Sequence, residues 1–98
     1  MSFPIRFTEE AEKDLADAAT WFADEVGIDL ANRFIDVVES NTRKIAKNPE
    51  HYAVVYKNYR QCVIRPFSHV VTFRINGGTV EILAVTHGSR NPKVWKQR

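Results

Sequence analysis

The spacing of apolar positions along the chain changes period twice. In FPIRF, residues 3–7, the apolar Phe3, Ile5 and Phe7 recur at every second residue, as on one face of a short strand. Thr8 then stands where a helix N-cap belongs, and Glu9 and Glu10 follow in the first turn, where carboxylates favour the positive end of the helix dipole. Ala11, Leu15, Ala18 and Phe22 recur at helical spacing and predict an amphipathic helix that ends at Gly27 as its C′ residue. Trp21 and Phe22 are expected to pack between that helix and a sheet. A second helix is predicted from Ile28 or Asp29 to about Lys47, with Ala31, Phe34, Ile35, Val38 and Ile45 on one face and Asn41 and Thr42 interrupting it. Pro49 disfavours helix at Asn48 and stops it. With so short a link at Gly27, the two helices must form an antiparallel hairpin.

After Pro49 the period returns to two. YAVVYKN is a possible short or edge strand, and RQCVIRPF a stronger one that ends at Pro66. SHVVTFRI places Val71, Phe73 and Ile75 on one face and Val70, Thr72 and Arg74 on the other. NGG, residues 76–78, signals a hairpin, because Asn and Gly tolerate the positive φ of a primed turn. TVEILAVTH is almost continuously apolar, as expected of a central strand. The predicted fold is α+β in the order β-α-α-β-β-β. The hairpin packs on one face of a three- to four-stranded antiparallel meander, and the N-terminal strand joins the sheet from outside it. At 98 residues the chain is expected to be one domain, residues 1–98.

Charge adds an asymmetry to this picture. The formal net charge is only +2, yet residues 1–50 carry six Lys/Arg against eleven Asp/Glu, and residues 51–98 carry eight against one, Glu81. The cations of the second half are Lys57, Arg60, Arg65, Arg74, Arg90, Lys93, Lys96 and Arg98. Several should sit on the sheet face that the helices leave open. Such a basic face could bind RNA phosphates, stabilise charge in phosphodiester cleavage beside an acid/base group such as His87, or receive an acidic peptide. A net charge of +2 argues against direct DNA binding by the chain alone.

Other chemistry is sparse. The three histidines are scattered and Cys62 stands alone in a strand-like run, which gives no metal cluster and no internal disulfide. No glycine-rich loop opens a helix, so no phosphate cradle or nucleotide cofactor is expected. MSFPIRF lacks the apolar core of a signal peptide, and no apolar run approaches the roughly 20 residues that span a bilayer. The cytoplasm is therefore the expected compartment, with no membrane partner. The tail THGSRNPKVWKQR ends in a basic, aromatic segment whose Trp95 either docks a partner or folds back over the core.

The order of these elements resembles the RelE/ParE superfamily, the toxins of type II toxin–antitoxin modules. FTEEAEKDLADAATWFADEVGIDLANRFIDVVE looks like its helical hairpin, KIAKNPE like its helix end, and SHVVTFRINGGTVEILAVTHGSR like its final hairpin, closing on a His-x-x-Arg pattern. The resemblance covers almost the whole chain and rests on order and spacing. It implies one of two activities. RelE-like members cleave mRNA in the ribosome with clustered cations and a His or Tyr near the C-terminus; here Arg60, Arg65, His87 and Arg90 would fill those roles. ParE-like members poison DNA gyrase without that set. RNPKVW offers no tyrosine beyond Arg90, which is closer to the ParE-like branch. The resemblance further implies a cognate ParD-like antitoxin with an acidic segment that folds on the toxin. DNA would then be reached only through the antitoxin complex. Arg60, Arg65, Arg74, His87, Arg90 and Trp95 are the candidate contacts for target or antitoxin.

Overall fold

The computed structural model describes residues 2–98. Strand β1 (Ile5–Phe7) leads into helix α1 (Glu9–Glu25) and helix α2 (Ile28–Lys47). A 3₁₀ turn at Pro49–His51 follows, then strands β2 (Val54–Tyr56), β3 (Tyr59–Ile64), β4 (His69–Asn76) and β5 (Thr79–His87), and a short helix α3 (Lys93–Lys96). The strands form one sheet in the order β1-β5-β4-β3-β2. The meander is four-stranded and antiparallel, and β1 joins its β5 edge in parallel, with Ile5 opposite Val80 and Phe7 opposite Ile82.

Local chemistry explains the element ends. The Thr8 hydroxyl accepts the Ala11 N–H at 3.1 Å and caps α1. Val26 is the C-cap of α1, which puts Gly27 at C′ as the sequence suggests, and Gly27, with φ +152°, also serves as the N-cap of α2. In the β4–β5 hairpin the positive φ falls on Gly77 and Gly78, at 57° and 83°, and Asn76 stays in the strand opposite Thr79.

The hairpin buries its stripe on one sheet face. Ala11, Phe34, Val38 and Ile45 meet Cys62, Ile64, Val71, Phe73, Val80, Ile82 and Val85 in the main core. Phe22 packs against this cluster, in ring contact with Phe34 and Phe67. Trp21 does not: it is 57% exposed, touching Phe22 edge-on. Consecutive helical residues diverge by about 100°, so only one of an aromatic pair can point inward, and Phe22 takes that direction. Ile35 is likewise only partly buried, and Thr42 is buried with its hydroxyl bonded to the Glu39 carbonyl at 2.8 Å. Cys62 is buried, and burial pushes its thiol up from the ordinary value.

Strand β5 is not a regular alternating strand. Between Thr72–Ala84 and Phe73–Ile82 the register shifts, which leaves Leu83 as an extra residue on β5. The bulge resets which residues face which layer. Val80, Ile82 and Val85 enter the main core, whereas Leu83 and Ala84 face the other way and join Tyr59, Tyr56 and Trp95 in a second, smaller core. The tail therefore folds back over the open sheet face, and Trp95 is only 8% exposed.

Truncating a well-packed Trp costs about 3 kcal/mol or more. Trp95→Ala should therefore lower the melting temperature by roughly 12 °C or more for a chain of this length, read by circular dichroism. Removing residues 91–98 should do at least as much. A melt unchanged by either would show that the second core contributes nothing.

Candidate functional site

The six candidate residues do not converge. Arg60 pairs across the ladder with Phe73 and so lies on the helix side of the sheet. Its Nη1 donates to the carbonyls of Tyr52 at 2.7 Å and Glu50 at 3.1 Å, fastening the 3₁₀ turn to β3. Arg74 lies on the open face, where its Nε donates to Glu81 Oε1 at 2.7 Å and its guanidinium rests 6.0 Å from the Tyr59 ring centre. Glu81 is 3% exposed, and its other oxygen pairs with Arg6. Two guanidiniums thus neutralise the one acid of the basic half, as a buried carboxylate requires. Trp95 is spent on packing.

Arg65, His87 and Arg90 gather at one end of the sheet. Arg65 is exposed in the β3–β4 turn, which the Gly88 N–H ties to the end of β5 by donating to the Ser68 carbonyl at 2.7 Å. His87 Nδ1 accepts from the Ser89 N–H at 3.1 Å and lies 2.7 Å from the Ser89 hydroxyl, and the Arg90 N–H donates to the His87 carbonyl at 2.9 Å. On the open-face side, His87 and Arg90 edge a small hollow of about 120 Å³ with Gln61, Val70, Thr86 and Trp95.

A larger groove of about 590 Å³ runs between α1 and β5, bordered by Asp14, Trp21, His69, His87, Arg90 and Arg98. It exists because β1 covers β5 only as far as Ile82. Side chains fill the place of the missing strand. Asp14 accepts the Val85 N–H at 3.0 Å, and Arg98 donates to the Leu83 carbonyl at 3.1 Å while pairing with both Asp14 oxygens, at 2.5 and 3.2 Å. Asp14 and His69 escaped the sequence reading, which names Arg98 only as one cation of the basic half and not as the partner of Asp14. Asp14 sits three residues beyond Ala11 and four before Ala18, at the border of the apolar stripe, and that position was the available signal.

His69 lies on the helix side, its ring against Phe22, Phe34 and His87, with Nδ1 buried and unpartnered. Burial, and secondarily the His87 charge, hold its pKa below the ordinary 6.5. Among the described residues, no group of three or more His, Cys, Asp or Glu is placed to hold a metal ion, and no helix is long and apolar enough to cross a membrane.

A family model described as the ParE toxin of the type II toxin–antitoxin system, parDE, matches residues 5–92 of this chain. The chain belongs to the ParE toxin family. It is 37% identical over 95 residues to Toxin ParE2 of Mycobacterium tuberculosis, covering 94% of this chain and 88% of that one. The ParE fold is equally clear in solved structures. The chromosomal ParDE system of P. aeruginosa superposes with a TM-score of 0.79 at 15% identity, over 88% of this chain and 96% of that one. The RelBE2 toxin–antitoxin complex of Mycobacterium tuberculosis gives 0.61 at 20% identity, covering 89% and 99%. A free E. coli RelE mutant gives 0.63 at 11% identity, covering 91% and 86%. These likenesses establish the RelE/ParE fold in this ParE-family toxin.

Two measurements test the groove. Because the folded pKa of His69 is depressed, the unfolded chain binds more protons just below pH 6.5. The stabilising contribution of neutral His69 should be complete above that pH and decline as pH falls through it. His69→Phe should flatten that part of the stability profile; an unchanged slope would assign it to other groups. Separately, a double-mutant cycle on Asp14→Ala and Arg98→Ala, by chemical denaturation, should give a coupling of about 1 kcal/mol or more.

Proposed function

We propose that this ParE-family toxin arrests growth by poisoning DNA gyrase through protein contact, and that a cognate ParD-like antitoxin holds it inactive. The observation that carries this reading is the state of the open sheet face. A ribonuclease built on clustered cations needs several of them free and aimed at one point, where charge develops in the transition state. Here Arg60, one of the four residues such a ribonuclease would need, is turned to the helix side and bonded to backbone carbonyls, while the tail lays Trp95 on the open face and Glu81 engages Arg74 there, so the free cations stand at its periphery and not at one point. Asn91 and Pro92 follow Arg90 where the ribonuclease pattern would carry a tyrosine.

The antitoxin part of the proposal draws on the relatives. The P. aeruginosa structure is of a ParDE system, and the Mycobacterium tuberculosis RelBE2 and intact E. coli RelBE structures are toxin–antitoxin complexes. Carried to this chain, such a partner would bring an acidic segment to the basic half and fold there.

One observation favours a second reading, a ribosome-dependent endoribonuclease. His87 is held by Ser89 with Nε2 free, beside Arg90 and at the same end of the sheet as Arg65. The two readings separate in one pair of assays. Purified toxin should inhibit gyrase supercoiling and accumulate cleaved DNA, while transcripts in a translation extract stay intact. Gyrase untouched at large toxin excess would end the first reading. Transcripts cut by the native protein but not by a folded His87→Ala variant would establish the second.

A further inference from the structure

The eleven acids of residues 1–50 all fall on α1, α2 and the 3₁₀ turn, that is, in the helical layer. The other side of the molecule has the opposite character. Tyr56 and Trp95 mark the covered open face; Lys57, Arg90, Lys93 and Lys96 stand beside these residues, and Arg65, in the β3–β4 turn at the end of the sheet, makes a fifth exposed cation of this half. No ion pair engages any of the five, among the described residues. The one nearby acid, Glu81, is buried and doubly paired and offers them nothing. Lys57 and Lys96 converge on a single ring, their Nζ atoms 5.4 and 4.9 Å from the Tyr56 centre, and Lys96 is also 5.8 Å from the Trp95 ring. The ring quadrupole attracts both ammonium groups without neutralising them.

We propose that this face is a sequence-independent grip for the phosphate backbone of duplex DNA. The net charge of +2 hides it, because the acidic helical layer cancels the basic face in the sum but not in the local field. A duplex fits the chemistry better than a single strand. Single strands are held by stacking bases on exposed aromatic rings; here Trp95 and Tyr59 are 8% and 6% exposed and committed to the second core, and the partly exposed Tyr56 ring has Lys57 and Lys96 over it. What the face offers is spaced, flexible point charges, which suit phosphates and read no base edge. In the gyrase reading, on which this inference rests for its setting, the toxin would touch the DNA that the enzyme holds as well as the enzyme. An antitoxin segment drawn to the same charges would compete with that DNA.

The test is fluorescence anisotropy of a labelled random-sequence 20-base-pair duplex with the full-length protein. Five engaged cations predict a slope of roughly −4.5 in log K against log salt. Lys57→Glu/Lys93→Glu/Lys96→Glu should weaken binding by roughly tenfold or more at low salt. Arg33→Glu/Arg43→Glu/Lys47→Glu, with the same change in net charge on exposed positions of α2, should weaken it far less. Both variants alter exposed side chains only, and unchanged melting curves would confirm that they fold. No duplex binding at low salt, equal loss in the two variants, or tighter binding of a single-stranded 20-mer or of polyglutamate than of the duplex would each overturn the proposal. The gyrase reading is judged apart. Gyrase poisoned by a protein that ignores duplex DNA would remove the grip and keep the target, whereas duplex binding with gyrase unaffected would do the reverse.

Discussion

Strand β5 is the element on which the other parts depend, and what it lacks is as important as what it has. Its β1 neighbour stops at Ile82, so the next turn of backbone would be left with unanswered polar groups, each costing about 1–3 kcal/mol if buried without a partner. The Thr8 N–H reaches the Ile82 carbonyl, Asp14 takes the Val85 N–H, and Arg98 takes the Leu83 carbonyl and then Asp14 itself. One short stretch of strand thereby joins the start of α1, its second turn and the far end of the tail. The groove between α1 and β5 is the space left because these are side chains and not a strand.

The same strand separates two electrostatic regimes. Its helix-facing residues lie under a layer that carries nearly all the acid of the molecule, and its other face lies under a tail with no acid at all. Glu81, on the open face, is the exception that keeps the boundary stable. With Arg6 and Arg74 on either side it forms a closed triad across three strands, leaving the remaining cations of that face without a local counter-charge. Charge segregation of this kind orients a protein in the field of a charged partner before any contact is made.

Much of the architecture was legible in the sequence because local rules agreed with one another. The Thr8 cap, the stripes through Ala11, Leu15, Ala18 and Phe22 and through Ala31, Phe34, Val38 and Ile45, and the glycines after Asn76 each specify what they form. The candidate site was less legible for a physical reason. Whether a cation is free depends on what lies across from it in space. Arg74 and Glu81 are seven residues apart, but Arg98 and Asp14 are 84 apart, and Arg60 finds its acceptors on a 3₁₀ turn that no periodicity marks. Trp21 and Trp95 came out in opposite ways for a related reason. Helical geometry turned Trp21 outward beside Phe22, whereas a tail with no periodicity of its own carried Trp95 onto a second core that the apolar run TVEILAV did not announce.

The extra residue at Leu83 has a consequence for how this sequence can change over time. An ordinary strand couples its two faces, since any shift of register flips every side chain at once. The bulge instead gives each face of β5 its own short address: Val80, Ile82 and Val85 answer to the helical hairpin, and Leu83 and Ala84 answer to Trp95 and the tail. Substitutions in the tail then need matching at only a few positions, none of them in the main core. The tail-covered surface can drift at its own rate while the scaffold beneath it stays under a separate selection.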